Sequence, residues 1–127
     1  MPDPSEALQI ALYERLNADL TVPVYDAVPM NAGFPYVTLD YEVVDNNDPL
    51  ASRRDRRFFY LSVWSNYSGQ MEVKKIMAEI DASLHEKLLP LETGRVASVR
   101  VARKQSNREP DGRTYQGSVT LRIITEH

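Results

Sequence analysis

Cysteine is absent from the 127 residues, which excludes disulfides, thiolate metal sites and cysteine nucleophiles. Histidine is nearly absent: His85 and His127 stand far apart, outside any HExxH or paired-ligand spacing, so no metal site and no cofactor is expected. The five glycines are isolated, leaving no loop built to cradle a phosphate; Gly33, Gly69, Gly94 and Gly112 read as turn residues, and Gly117 as a point of close packing in a strand. No serine lies in a GxSxG context. No apolar run approaches the roughly 20 residues of a membrane span, and no signal-peptide pattern opens the sequence, so a cytoplasmic origin is the default expectation. Bases are scarce at the start. Residues 1–50 hold Arg15 alone against Asp3, Glu6, Glu14, Asp19, Asp26, Asp40, Glu42, Asp45 and Asp48. Of 15 bases and 18 acids in all, residues 51–127 therefore keep 14 and nine. An acidic side and a basic side suit head-to-tail self-association, although most charged residues simply face water.

What is present is organised around residues Arg56–Leu88. Arg57–Ser65 is dense in strand-favouring residues, with Phe59, Leu61 and Val63 on one face and Phe58, Tyr60 and Trp64 on the other. Asn66–Gly69 is a turn. Val73, Ile76, Met77, Ile80, Leu84 and Leu88 then share one side of a helix over Gln70–Leu88. Before this core, Asp3-Pro4-Ser5-Glu6 reads as a helix start with Asp3 as N-cap, and Leu8, Leu12, Leu16 and Leu20 form its stripe. Val24–Val28 is a short extended piece and Met30–Pro35 a loop. Tyr36–Val44 alternates, with Val37, Leu39, Tyr41 and Val43 inward and Tyr36, Thr38, Asp40 and Glu42 outward. Asp45–Asp55 reads as a long loop. Val96–Arg103 is a strand with Ala97, Val99 and Val101 on one side; Lys104–Arg113 is a loop, and Tyr115–Ile124 a last strand. The expected fold is a single α+β domain over 1–127, in element order α-β-β-α-β-β. It is a two-layer sandwich in which a four-stranded, mainly antiparallel sheet carries both helices on one face.

The other sheet face would display Tyr36, Thr38, Asp40, Glu42, Phe58, Tyr60, Trp64, Ser98, Arg100, Gln116, Ser118, Thr120 and Arg122. Aromatics and arginines among small polar residues are an interface composition; the plain alternative is that Val24–Val28 or a loop caps the aromatics. Arg53, Arg54, Arg56 and Arg57 form a basic cluster interrupted by Asp55. In an acidic chain, it fits a loop that docks on a neighbouring protein better than a nucleic-acid footprint. Nothing in the chain is expected to neutralise it, and the acidic first third of a second copy is its natural partner. Asp40 and Glu42 share a face as paired carboxylates do in acid–base sites, but a solvated face accounts for them. His85 is placed at the solvated edge of its helix. The candidate subunit interface is therefore Arg53, Arg54, Arg56, Arg57, Phe58, Tyr60, Trp64, Asp40 and Glu42, and little speaks for an enzyme.

The segments ALQIALYERLNAD, VYDAVPMNAGFPYVTLD, LSVWSNYSG running on to SLHEKL, and DGRTYQGSVTLRI carry a resemblance over nearly the whole chain. In that order they resemble the tail-completion, or tail-terminator, proteins of long-tailed bacteriophages and phage-like gene transfer particles. The resemblance implies a structural subunit without catalysis or cofactor, assembled as a hexameric ring on the last ring of the tail tube. There it would stop tube growth at the head-proximal end and join the tail to the connector or stopper protein, with DNA passing through its lumen. Its partners would be itself, the tail tube protein and the connector or stopper protein, and it would be assembled in the bacterial cytoplasm. A small ligand-binding or nucleic-acid-binding α+β module is the alternative; it would need a concave pocket with convergent polar groups, or salt-sensitive DNA affinity.

Overall fold

The computed structural model describes residues 3–46 and 53–127. Helix α1 (Ser5–Asp19) is followed by a two-residue strand β1 (Val24–Tyr25) and by β2 (Tyr36–Asn46) and β3 (Arg54–Ser65). Helix α2 (Met71–Leu84), β4 (Arg95–Arg108) and β5 (Tyr115–Glu126) complete the chain. The sheet has five strands in the order β1-β2-β3-β5-β4, antiparallel throughout except for the parallel pair β1–β2. The α+β class and the two helices are as read from the sequence; the strand count and element order are corrected. Val24 and Tyr25 pair with Val37 and Thr38 and form a fifth strand, too short to show an alternation of its own.

Leu8, Leu12 and Leu16 recur every fourth residue, which stacks them on one side of α1, and all three are fully buried. Each such side chain stabilises by about 1.5–3 kcal/mol on leaving water. Val73, Ile76, Met77, Ile80 and Leu84 do the same for α2, against Phe59, Leu61, Val63, Val119, Leu121 and Ile123 of the central strands. Gly117 explains how close α2 lies: a Cβ there would sit 2.6 Å from Val73 Cγ1 and 2.9 Å from Met77 Sδ. Arg15 locks the two helices, donating to the carbonyls of Ser83 (3.3 Å) and Leu88 (2.8 Å), while Asp19 accepts from Ser83 Oγ at 2.6 Å. The lone base of the first third thus meets carbonyls at and beyond the end of α2, where a cation is favoured.

The helix limits are shorter than the sequence reading. α1 starts at Ser5, with Pro4 in the cap position, although Asp3 still accepts the Ser5 N–H at 2.9 Å. α2 ends at Leu84 and not Leu88, because the chain turns outward there. His85 is extended, Glu86 takes φ 55°, and the Glu86 N–H bonds the Val99 carbonyl at 2.8 Å. His85 is half-buried rather than at a solvated helix edge, since its Nδ1 accepts the Val101 N–H at 2.9 Å. That bond tethers the segment after α2 to the outer backbone of β4.

β-Bulges change the faces. In β2 the register shifts between Leu39 and Tyr41, so Leu39 opposes Leu61 but Tyr41 opposes Tyr60 and Glu42 opposes Phe59. One extra residue, Asp40, reverses every side chain beyond it. Tyr41 and Val43 therefore face away from the helices and Glu42 toward them, the opposite of the simple alternation. In β4 the shifts fall between Val96 and Ser98 and between Val101 and Arg103, which puts Val96, not Ala97, beside Val99 on the helix side. The strands also run further than expected. β2 continues to Asn46, β3 begins at Arg54 and β4 reaches Arg108, so most of the basic cluster lies on a strand and not in a loop. Residues 47–52 of the expected long loop lie outside the described residues. The β4–β5 turn is held by Asp111, which accepts the Arg113 and Thr114 N–H groups at 2.8 Å; those bonds hold its carboxyl below the usual range.

Candidate assembly interface

The expected interface residues separate into two groups, on opposite sides of the sheet. Strand β3 decides the division, since its side chains alternate. Arg56, Phe58, Tyr60 and Trp64 point away from the helices, while Asp55, Arg57 and Phe59 point toward them.

Arg57 is fully buried. Its Nε donates to Thr125 Oγ1 at 3.0 Å, Nη1 to Ser5 Oγ at 2.6 Å and Glu42 Oε2 at 3.3 Å, and Nη2 to Asp3 Oδ1 at 2.7 Å. Asp55, 2% exposed, lies 3.5 Å from the same guanidinium, and its other neighbours are Arg53 at 3.5 Å and the His127 ring at 3.9 Å. One arginine thus gathers the start of α1, the bulged strand β2, β3 and β5. The Arg57 guanidinium and the Ser5 hydroxyl lower the Asp3 carboxyl to about 2. Arg53, Arg54 and Arg56 are also met by acids of the chain itself, Asp55, Glu126 and Asp45 respectively. The expectation that nothing in the chain neutralises the cluster is therefore corrected. Glu42 reaches Arg57 only because of the bulge at Asp40, which no inspection of β2 alone reveals.

The uncovered sheet face holds the second group. Tyr41 stacks on Tyr60 with ring centroids 4.3 Å apart and 18° between planes, and Arg56 lies 5.6 Å from the Phe58 ring centroid. Beside them runs a polar chain converging on Asp40. Trp64 Nε1 donates to Thr38 Oγ1 at 3.3 Å, and Thr38 donates to Asp40 Oδ1 at 2.7 Å. From the other side, Gln116 Nε2 donates to Ser62 Oγ at 3.0 Å, and Ser62 donates to Asp40 Oδ2. Three strands are stitched across the face, and every link has a donor and an acceptor; Thr38 and Ser62 are buried within the network, while Asp40 is exposed and Trp64 and Gln116 are partly exposed. Phe58, Tyr60 and Trp64 are each partly exposed, and β1 lies in the sheet plane beside β2 and does not cap them. Among the described residues no group of three or more His, Cys, Asp or Glu side chains is placed to hold a metal. Among the described residues, one open surface cleft lined by Glu86, Leu88, Val96 and Val99 holds about 290 Å³.

A two-layer subunit with one sheet face ordered, aromatic and left open belongs to the class of proteins that work by packing against others. The chain is a member of the family described as Tail completion protein gp17, whose model matches residues 10–126. It is accordingly a structural component of a phage-like tail. A chain in the solved structure of the virion of a native gene transfer agent (GTA) particle shares the fold, with a TM-score of 0.90 and 22% identity over 100% of both chains. No curated protein matches the sequence.

Proposed function

We propose that the protein is a tail terminator: copies of it form a ring, expected to be hexameric, on the last ring of the tail tube at the head-proximal end. The ring stops tube growth and supplies the joint for the head connector or stopper protein, with DNA crossing its lumen in transit. Assembly takes place in the bacterial cytoplasm. The role is structural, without catalysis or cofactor.

The observation that carries this reading is the open sheet face. A solvated antiparallel sheet face is ordinarily polar, yet here Tyr41 is exposed and Phe58, Tyr60 and Trp64 are partly exposed, left for a partner. Family membership and the fold shared with a chain of an assembled particle support the same reading. Within the ring, Arg53, Arg54, Arg56, Phe58, Tyr60, Trp64 and Asp40 are the proposed contact residues. Arg57 and Glu42, joined to each other beneath α1, support them from the helix side of the sheet.

Removing the chain from a particle-producing cell tests the role. Overlong tail tubes and tails without heads are expected. Tails of normal length, joined to filled heads, would sink the reading.

A further inference from the structure

The two sides of the sheet differ in charge. Strand β2, YVTLDYEVVDN, holds Asp40, Glu42 and Asp45 and no base. At the far side β4, RVASVRVARKQSNR, holds Arg95, Arg100, Arg103, Lys104 and Arg108 and no acid. Local pairs cancel part of each set. Arg95 meets Glu126, Arg100 meets Glu86 and Lys104 meets Asp81, while Glu42 meets Arg57 and Asp45 meets Arg56. What remains is of one sign on each flank. Arg103 and Arg108 are exposed and meet no carboxylate among the described residues. On the β1–β2 flank the exposed acids Asp26 and Glu14, which line one cleft with Tyr13 and Leu39, meet no cation there.

We propose that these two flanks add a lateral contact between subunits to that of the sheet-face residues named above: the basic β4 flank of one copy docks on the acidic α1–β1–β2 flank of the next. The inference rests on the ring reading above and specifies its lateral interface. The ladder supports it geometrically. Arg103 is level with Thr120, Tyr60 and Tyr41 across the sheet, and Arg100 with Arg122, Phe58 and Val43. Copies related by a rotation about an axis along the strands keep that height, so Arg103 arrives beside the stretch from Asp40 to Glu42 of its neighbour. The two surfaces differ, so the contact is heterologous, the kind that closes into a ring when the rotation permits. At Val99 and Val101 a further strand cannot pair with β4, because Glu86 and His85 already occupy the Val99 carbonyl and the Val101 N–H, and there the contact is made by side chains. Opposite flanks of this kind mainly steer encounter and fix register.

Charge reversal of one flank at a time tests this. Glu14→Lys with Asp26→Lys makes both flanks basic; Arg103→Glu with Arg108→Glu makes both acidic. All four positions are exposed, so each protein should melt as the wild type does. Sedimentation velocity at low salt, where surface charges are least screened, should show self-association of the wild type and its loss in each variant. An equimolar mixture of the two variants should recover it by alternating copies. If either variant alone associates like the wild type, or the mixture fails to recover association, the flank assignment is overturned while the ring reading stands. A wild-type chain that stays monomeric at every salt concentration overturns these flanks as the driving contact. The tail-length phenotype then judges the ring reading separately.

Discussion

Arg56 and Arg57 are neighbours in the chain, but they face opposite sides of the sheet and so meet different surroundings. Arg57 is buried with Asp3, Glu42 and Asp55 around it, and removing it leaves the buried Asp55 carboxylate with only Arg53 and the His127 ring beside it and takes the cation away from Glu42. Arg57→Ala should lower the unfolding free energy by about 3–5 kcal/mol in urea titration, whereas Arg56→Ala, losing an exposed pair at 3.8 Å, should cost no more than about 1 kcal/mol. Equal effects would contradict the assignment of faces. Asp3 gives the same cluster a pH signature. Its carboxyl is lowered to about 2 in the folded protein, first by the Arg57 hydrogen bond. A depressed carboxyl contributes stability that is complete above its unfolded value of roughly 4, and loses it as pH falls toward the folded value. Asp3→Asn should therefore be less stable than the wild type at neutral pH, and that difference should shrink between about pH 4 and 2. Parallel melting curves for the two proteins across that window would contradict it. The burial of Arg57 was legible in principle, because the alternation Val63, Leu61, Phe59 extended two residues back lands on it. The clustering of four bases obscured that period.

At the scale of elements, α2 rests on β5 through a glycine. Gly117→Ala would place a methyl 2.6 Å from Val73 Cγ1, so the helix must shift or its side chains leave their rotamers. A loss of about 1–3 kcal/mol is expected, and Val73→Ala in the same chain should return part of it, read as a coupling energy in a double-mutant cycle. Strict additivity would mean that the close approach is absent. The reading of Gly117 as a packing position came from sequence, since a lone glycine inside a strand pattern has few other uses. The bulges at Asp40, Ala97 and Ala102 were invisible for a definite reason: a bulge is a mismatch between two strands, and one strand's pattern does not contain its partner. Missing the one at Asp40 put Tyr41 on the wrong face and hid its stack with Tyr60. That stack yields the next prediction. Tyr60→Ala should reduce incorporation into particles more than it reduces the melting temperature, with Trp64 emission shifting to the blue on assembly of the wild type. Emission that is identical in the free and assembled chain would mean that the open face stays open.

At the scale of the molecule, the helices sit on one side of the sheet, the aromatic and polar network on the other, and unpaired charge of opposite sign on the two flanks. The arrangement presents three surfaces of different chemistry, suited to different neighbours. The sequence carried the family resemblance and the charge asymmetry because both are spread over the whole chain. It did not place the basic surface, since strands distant in sequence had to be ordered before β4 appeared opposite β2. The proposed tail-terminator role requires the chain to be a ring subunit at the head-proximal end of the tail. Electron microscopy of intact particles, at a resolution that traces these helices and strands, tests it most directly. A single closed ring of this chain between the tail tube and the head connector is the expected result. Density for the chain along the length of the tube, at the distal tip, or as isolated copies with no lateral neighbours would contradict the account.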